Sequence, residues 1–377
     1  MTAVVAHFLS EALAAGQALL TRRAGSTVEV FDPEDLGGTG RSTVVRARLG
    51  ENPLGVGRTV VIKVLDDGAP TAPFLREVAG YRYATALPSQ SRPGPQLLAA
   101  DEARRILVLS DLGHGRGMIE LLSEDVDDAA RGVSAWGQAL GRMHAATVGG
   151  EEDFDALLRQ AVDRTDDGDA CGTDAVAAQA AAARDGVHEL VARLGIDLSP
   201  RLAAELTAGC DLFAGGDLRA FSPSDVGPEN ILLNDDGVQF MDYEFAAFRD
   251  ASLDVAYALV TFPAYLGEAS VARRADLERK LVDAWHAEVK GLWPNLTRDA
   301  GLVRLLLHAR TLWVWLSTHW IVAGGTGSHD WALHTTDARV VLTRWADLAD
   351  AARTVDDDEL AEAATAMERA LAHFWFD

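Results

Sequence analysis

The segment FSPSDVGPENILLNDDGVQFMDYE, residues 221–244, restricts the fold more than any other part of the chain. It interrupts an alanine-rich, helix-patterned region with two short apolar runs, ENILL and VQFMD, separated by Asn234-Asp235-Asp236-Gly237. Apolar runs this close, with turn residues between them, predict a β-hairpin. Asp225 and Asn230 precede the hairpin and Asp242 follows it. Two readings fit these polar residues. Asp, Asn, Pro and Gly are ordinary loop punctuation. Alternatively, a base and two oxygen ligands converge from the strand ends on a metal-bound phosphate.

The rest of the chain supplies the context. At 377 residues it is long for one core, so two domains or lobes are expected. Residues 28–112 read as strands: VEVF, STVVRARL, TVVIKVL and RILVLSDL, divided by Gly, Asp and Pro turns. One helix interrupts them, APFLREVAGYRYATAL at 72–87. Beyond residue 113 the pattern is mainly helical, as in VSAWGQALGRMHAAT, RLLLHARTLWVWL and ATAMERALAHFWF, with the hairpin as the exception. DRTDDGDACGTD reads as a loop joining helices. No repeat or long linker is evident. The fold expected is therefore α+β: residues 1–112 form a β-rich lobe with an N-terminal helix, and residues 113–377 a larger helical lobe carrying the hairpin.

Composition excludes several classes. Asp and Glu outnumber Lys and Arg 57 to 34, a formal net charge of -23. Such a surface repels phosphate backbones and anionic lipid, which argues against nucleic acid and membrane partners. It serves solubility, or it draws in a cationic substrate. Cys171 and Cys210 have no CxxC spacing, which fits a reducing cytoplasm and argues against a disulfide framework or a zinc site. The opening MTAVVAHFLSEALAAGQALL carries His7 and Glu11 without a basic leader and reads as an amphipathic helix. LWVWLSTHWIVAGG, at 312–325, is too short to span a bilayer and reads as a buried helix.

Three further stretches carry chemistry. LGGTGRSTVVRARL, 36–49, is a glycine-rich turn that runs into a strand, so it is neither a dinucleotide loop nor a Walker loop. A turn between two strands is what covers ATP phosphates in kinases; Gly38 and Gly40 match the first two glycines, and Thr43 stands where the third would be. In TVVIKVL, Lys63 either projects to solvent or meets Glu77 on the following helix, where the pair would present a fixed positive charge to phosphates. ILVLSDLG ends in a polar crossover where the Ser110 carbonyl and the Leu112 N–H are suited to an adenine edge.

Together, Lys63, Glu77, the LVLSDLG strand, Asp225-x4-Asn230 and Asp242-Tyr-Glu resemble, in order and approximate spacing, the aminoglycoside phosphotransferase and choline kinase group. These proteins are small-molecule relatives of the protein kinases. The resemblance covers roughly residues 28–260, and its most specific part is the Asp225–Asp242 block followed by Asp254 in ASLDVAYAL. LGRMHAAT, 140–147, is similar to the family helix that leads toward the catalytic loop.

The resemblance implies a two-lobed, protein kinase-like fold that transfers the γ-phosphoryl of ATP or GTP to a hydroxyl of a small polar, amine-bearing metabolite or antibiotic. Asp225 would accept the hydroxyl proton, and Asn230 and Asp242 would hold Mg²⁺ with Glu244 beside them. Lys63, set by Glu77, would clamp the α- and β-phosphates. One departure concerns the catalytic loop, where Pro223-Ser224-Asp225 replaces the usual His-Gly-Asp or His-Arg-Asp and removes a prop of that loop. Only eleven residues separate Asp242 from Asp254, too few for a peptide-docking activation loop. The alternatives are a nucleotide-binding pseudokinase acting as sensor or scaffold, and an enzyme moving AMP on the same fold.

Overall fold

Alternation along two strands decides how the sheet is covered. In β2 (Ser42–Leu49) Val45, Ala47 and Leu49 are buried, and in β3 (Thr59–Leu65) Val60 and Ile62 are buried. A strand points successive side chains to opposite faces, so this set forms one apolar face. Helix α1 (Ala3–Ala24) closes that face with Leu9, Ala12, Leu19 and Leu20. The computed structural model describes residues 3–38, 41–55, 57–66, 68–165, 174–296, 300–323 and 333–376. The chain separates into two compact units: Met1–Gly115 with Glu151–Gly172 and Leu232–Ala247, and Arg116–Gly150 with Thr173–Ile231 and Phe248–Asp377.

The first unit is built on an antiparallel sheet in the order β1-β2-β3-β5-β4, where β1 is Val30–Gly37, β4 Leu97–Asp101 and β5 Ile106–Ser110. Lys63 of β3 lies abreast of Val44 on β2 and Leu107 on β5, on the face turned away from α1. Helix α2 spans Thr71–Ala86. Pro73 is tolerated in its first turn, and Leu87 leaves the helix in an extended conformation because Pro88 follows. The strand expected at VEVF begins later, at Val30, and runs through an irregular stretch. Pro33 offers no N–H to the ladder and Asp32 has φ 58°, so the register shifts between Phe31 and Glu34.

The hairpin forms where its pattern predicts, with strands Ile231–Asn234 and Gly237–Phe240. Asn234 Oδ1 accepts from the Asp236 N–H at 2.9 Å, and Gly237 takes φ 103°, which a glycine adopts without strain. Its residues from Leu232 onward cluster with the sheet, whereas two consecutive segments meeting at 112/113 would put the hairpin with the helices. Specific bonds account for the difference. Asn234 Nδ2 donates to the Leu112 carbonyl at 2.9 Å, the Phe240 N–H to the Pro93 carbonyl at 2.6 Å, and Tyr243 stacks on Tyr81 with centroids 4.3 Å apart. Helix Glu151–Val162 belongs to the same unit, with Phe154 edge-on to Tyr83 of α2.

The second unit is mostly helical. It also holds a two-stranded ladder, Arg219–Ser222 with Ala247–Asp250, which is too short to carry a strand pattern in the sequence. Helix Ala300–Ala323 is buried on every side from Leu312 to Thr318, as expected of LWVWLST; Gly324 and Gly325 lie outside the described residues. Its tryptophans still need hydrogen-bond partners. Trp313 Nε1 donates to the Leu253 carbonyl at 2.9 Å and Trp315 Nε1 to the Ala183 carbonyl at 2.8 Å. Among the described residues no helix is long and apolar enough to cross a membrane. Most of the loop 163–174, including Cys171, lies outside the described residues.

Two helices of this unit approach closely enough to require glycine. A Cβ on Gly137 of helix Val126–Thr147 would sit 2.2 Å from the Leu281 carbonyl oxygen of helix Arg274–Val289. One turn on, a Cβ on Gly141 would lie 2.8 Å from the Trp285 carbonyl oxygen. Neither neighbour is a flexible side-chain end, so the helices would have to separate. Gly137→Ala is expected to destabilise the protein by about 1–3 kcal/mol, despite the roughly 1 kcal/mol that alanine contributes over glycine in a helix. A thermal midpoint equal to or above that of the parent would contradict this packing.

Candidate active site

The first unit brings together three of the residues marked in the sequence. Lys63 Nζ lies 2.8 Å from Glu77 Oε1 and 2.9 Å from Asp242 Oδ1. Each comes from a different element: Lys63 from the middle of β3, Glu77 from the buried face of α2, and Asp242 from just beyond the hairpin. Burial pulls the Lys63 ammonium down, but the carboxylates of Asp242 and Glu77 outweigh it and hold the lysine firmly protonated. Glu77 shares that one cation with Asp242. Burial therefore dominates at its carboxyl and pushes it up to about 7, with Asp242 and Glu244 adding to the rise and Lys63 opposing it.

Asp242 is held in an unusual backbone conformation, φ 58°, a region costly for most residues and best tolerated by Asn and Asp. The segment around it is fixed to α2. The Asp242 N–H donates to Tyr81 Oη at 3.1 Å, Tyr81 stacks on Tyr243, and Arg76 Nη1 donates to the Ala246 carbonyl at 3.2 Å. Gly80 allows this approach, since a Cβ there would meet the Ala246 Cβ at 2.7 Å. The sequence does not announce Tyr81; its one signal is its place one turn beyond Glu77.

The crossover after β5 lies in the same unit. Ser110 donates its N–H to the Gln96 carbonyl and accepts the Gln96 N–H on Oγ, both at 2.9 Å. Leu112 is tied through its carbonyl to Asn234. Between them, Asp111 pairs with Arg46 Nε at 3.0 Å, a contact the sequence did not suggest. Burial pushes the Asp111 carboxyl up, but hydrogen bonds from Thr59 and the Gly113 N–H, with Arg46, hold it below the usual aspartate value. A cavity of about 400 Å³ opens here, lined by Glu34, Arg46, Thr59, Asp111, Gly113 and His114. Gly38 must be glycine because a Cβ would fall 1.9 Å from the Ser42 carbonyl oxygen. Gly40 lies outside the described residues.

The second unit contains Asp225 and Asn230. Asp225 is buried, and both of its carboxylate oxygens have donors: Tyr257 Oη to Oδ1 at 2.6 Å and Asn230 Nδ2 to Oδ2 at 3.0 Å. With its nitrogen engaged there and on the Asp225 carbonyl at 3.2 Å, the Asn230 amide turns its oxygen elsewhere. The loop before Asp225 is held by a buried network through Ser222 and Ser224. Asp254 accepts from Ser222 Oγ at 2.6 Å and contacts His144 Nε2 at 3.1 Å, while Trp285 Nε1 donates to His144 Nδ1 at 2.9 Å. Ser222 Oγ accepts the Ser224 N–H at 2.9 Å. Ser224, with φ 84°, also takes a bond from buried Arg249, which pairs with Asp174 at 2.8 Å.

The donor chemistry suits Mg²⁺. In the first unit Asp242 is one-third exposed, at 34%, and its carboxylate is a hard oxygen ligand of the kind Mg²⁺ takes alongside substrate phosphates. Among the described residues no three or more His, Cys, Asp or Glu side chains form a metal cluster of their own.

The first unit has the strand, strand, strand, helix, strand, strand order of a kinase-like front lobe, with the lysine on the third strand and its glutamate on the helix. The second is the larger, helical part. No protein-family model and no curated protein matches the chain. Solved structures do. A choline/ethanolamine kinase family protein from Mesorhizobium loti is 15% identical with a TM-score of 0.47, over 89% of this chain and 92% of that one. A choline kinase from Cryptosporidium parvum Iowa II is 12% identical at 0.48, over 88% and 91%. A thermostable mutant of an aminoglycoside phosphotransferase, solved with ADP and hygromycin B, is 13% identical at 0.42, over 94% and 98%.

The Lys63 cluster leads to a stability test independent of any substrate. Lys63→Met leaves two carboxylates close together and partly buried, and is expected to destabilise by about 3–5 kcal/mol. Lys63→Met combined with Glu77→Gln should cost clearly less than the sum of the two single changes. Additive losses in denaturant unfolding would mean that the two side chains do not interact.

Proposed function

We propose that the protein is a small-molecule kinase, moving the γ-phosphoryl of ATP or GTP to a hydroxyl of a small polar acceptor. The observation that carries this reading is the Lys63 ammonium fixed between Glu77 and Asp242. A surface lysine needs no such arrangement. A lysine that must hold its charge at one point against bound phosphates does, because positioning and electrostatics supply most of the catalysis in phosphoryl transfer. The glycine turn at Gly38 and Gly40 would cover the phosphates, and the Ser110–Leu112 crossover would receive the base.

Asp225 is assigned as the base. It would align the acceptor hydroxyl and accept its proton as the oxygen–phosphorus bond forms and the bond to the leaving nucleoside diphosphate breaks. Asn230 and Asp242 are assigned as Mg²⁺ ligands, and Glu244 as the carboxylate beside them. When bound, the ion neutralises charge on the phosphate oxygens. Lys63 would hold the phosphates from the nucleotide side, with Glu77 fixing its position. The eleven-residue interval from Asp242 to Asp254 favours a small molecule over a protein as acceptor.

Turnover distinguishes this reading from a nucleotide-binding scaffold, and product mass distinguishes phosphate from AMP transfer. The experiment is a Mg·ATP and Mg·GTP consumption screen over amino sugars, aminoglycosides, choline-like amines, macrolides and nucleosides, with products weighed. Asp225→Ala should lower kcat at least ~10²-fold with nucleotide affinity nearly kept. Asp242→Ala and EDTA should each weaken ATP binding by calorimetry. Equal affinity in all three conditions would remove Asp242 from the metal site.

The net charge of -23 extends the reading to cationic acceptors. For an amine-bearing acceptor, kcat/KM should fall as salt rises from about 0.05 to 0.5 M and the screening length shortens below about 8 Å. A neutral acceptor measured alongside should respond less. If the two respond equally, the charge serves solubility alone.

A further inference from the structure

Asp225 is gripped from a helix that the catalytic loop motif does not include. We infer that Tyr257 is a positioning residue for phosphoryl transfer, holding the Asp225 carboxylate at the angle from which it meets the acceptor hydroxyl. The inference rests on the assignment of Asp225 as the base. Three observations carry it.

The first is the bond itself. Tyr257 Oη donates to Asp225 Oδ1 at 2.6 Å, while Asn230 Nδ2 donates to Oδ2 at 3.0 Å. With a donor on either side the carboxylate cannot rotate without losing both bonds. A general base must sit within hydrogen-bond reach of the proton it takes, and small misplacements are costly.

The second is how firmly the phenol is held. Tyr257 is fully buried, edge-on to Trp313 at 5.3 Å, and Trp313 Nε1 is itself bonded to the Leu253 carbonyl on the same helix, Ser252–Thr261. Burial, with the charges of Asp225 and Glu229, pushes the phenol well above the ordinary tyrosine value, so it remains a protonated donor. The Leu333 backbone also hydrogen-bonds to the phenol, and Arg344 lies within electrostatic reach of it.

The third is spacing. Asp254 and Tyr257 are three residues apart, on one face of the helix. Asp254 holds Ser222 and Tyr257 holds Asp225, also three residues apart in the loop. One helical turn thus grips the loop at two points, in a chain that lacks the usual His of that loop. The two grips differ in kind: Asp254 holds the loop, while Tyr257 holds the reacting carboxylate.

Tyr257→Phe removes the oxygen and leaves the ring packed on Trp313. The probe is Mg·ATP with water as acceptor, read as ADP release, beside the calorimetric ATP Kd and the thermal midpoint. We expect kcat to fall about tenfold or more, with ATP KM and Kd within about twofold of wild type and the midpoint little changed. The pair Asp225→Asn with Tyr257→Phe should lose no more than Asp225→Asn alone, because the phenol acts through that carboxylate. Turnover of Tyr257→Phe within about twofold of wild type, while Asp225→Ala loses ~10²-fold, overturns the inference and leaves the kinase reading intact. Multiplicative losses in the pair, or a matching loss of ATP affinity or folding, also overturn it, since Tyr257 would then be a packing residue. A wild-type chain without ATP turnover, or an Asp225→Ala variant as active as wild type, removes the base assignment and this inference with it.

Discussion

A largely buried ammonium has to be matched by negative charge, and much of the first unit is arranged around that requirement at Lys63. Taking a charged group out of water costs several kcal/mol, roughly, and is offset only by close, well-oriented partners. Lys63 finds Glu77 and Asp242 within 2.9 Å. One partner sits on α2 and the other follows the hairpin, so sheet, helix and hairpin end must all be in place for the charge to be tolerated. The stack of Tyr81 on Tyr243, the Tyr81–Asp242 bond and the close contact at Gly80 are what keep α2 and the hairpin end together. Because two carboxylates share one cation, the Glu77 carboxyl is pushed up. In the proposed chemistry a divalent cation at Asp242 would add positive charge that this cluster lacks.

The second unit solves a different problem, holding a loop in a strained shape. Ser224 adopts φ 84°, where a non-glycine residue costs of order 1–3 kcal/mol. Ser222, Asp254, His144 and Trp285 form a continuous buried chain of hydrogen bonds, and Arg249 ties Ser224 to Asp174. Gly137 and Gly141 let helix Arg274–Val289 come near enough for Trp285 to reach His144. The packing of two helices and the orientation of Asp225 are therefore linked through a few named bonds. Asp225 carries no backbone strain of its own; its neighbour does.

Local chemistry made several elements legible in advance. The hairpin was written in its turn residues, and α2 in a helical period closed by Leu87-Pro88. The Lys63–Glu77 pair followed from a strand lysine and a helix glutamate fourteen residues apart. Other features left no local mark. The four-residue strands Arg219–Ser222 and Ala247–Asp250 are shorter than any pattern that could reveal them. The start of β1 moved because a proline and a left-handed aspartate break its ladder, which depends on the partner strand. Arg46–Asp111, 65 residues apart, and Tyr257–Asp225, 32 apart, are contacts that no short window contains.

The amino-acid sequence by itself determined the order of elements, the residue types fit for phosphate and metal chemistry, and the intervals that argue against a peptide platform. These are properties of spacing and side-chain chemistry, which the chain carries unfolded. Only the tertiary structure decided which groups share a charge and which hold one another still. Asp242 became a partner of Lys63, the hairpin joined the sheet-bearing unit, and Ser222 and Ser224 joined one buried hydrogen-bond network. The physical reason is range. Turn and helix signals act over a few residues, whereas a buried charge or a buried carboxylate is satisfied by whatever folding brings within about 3 Å, however distant in the chain.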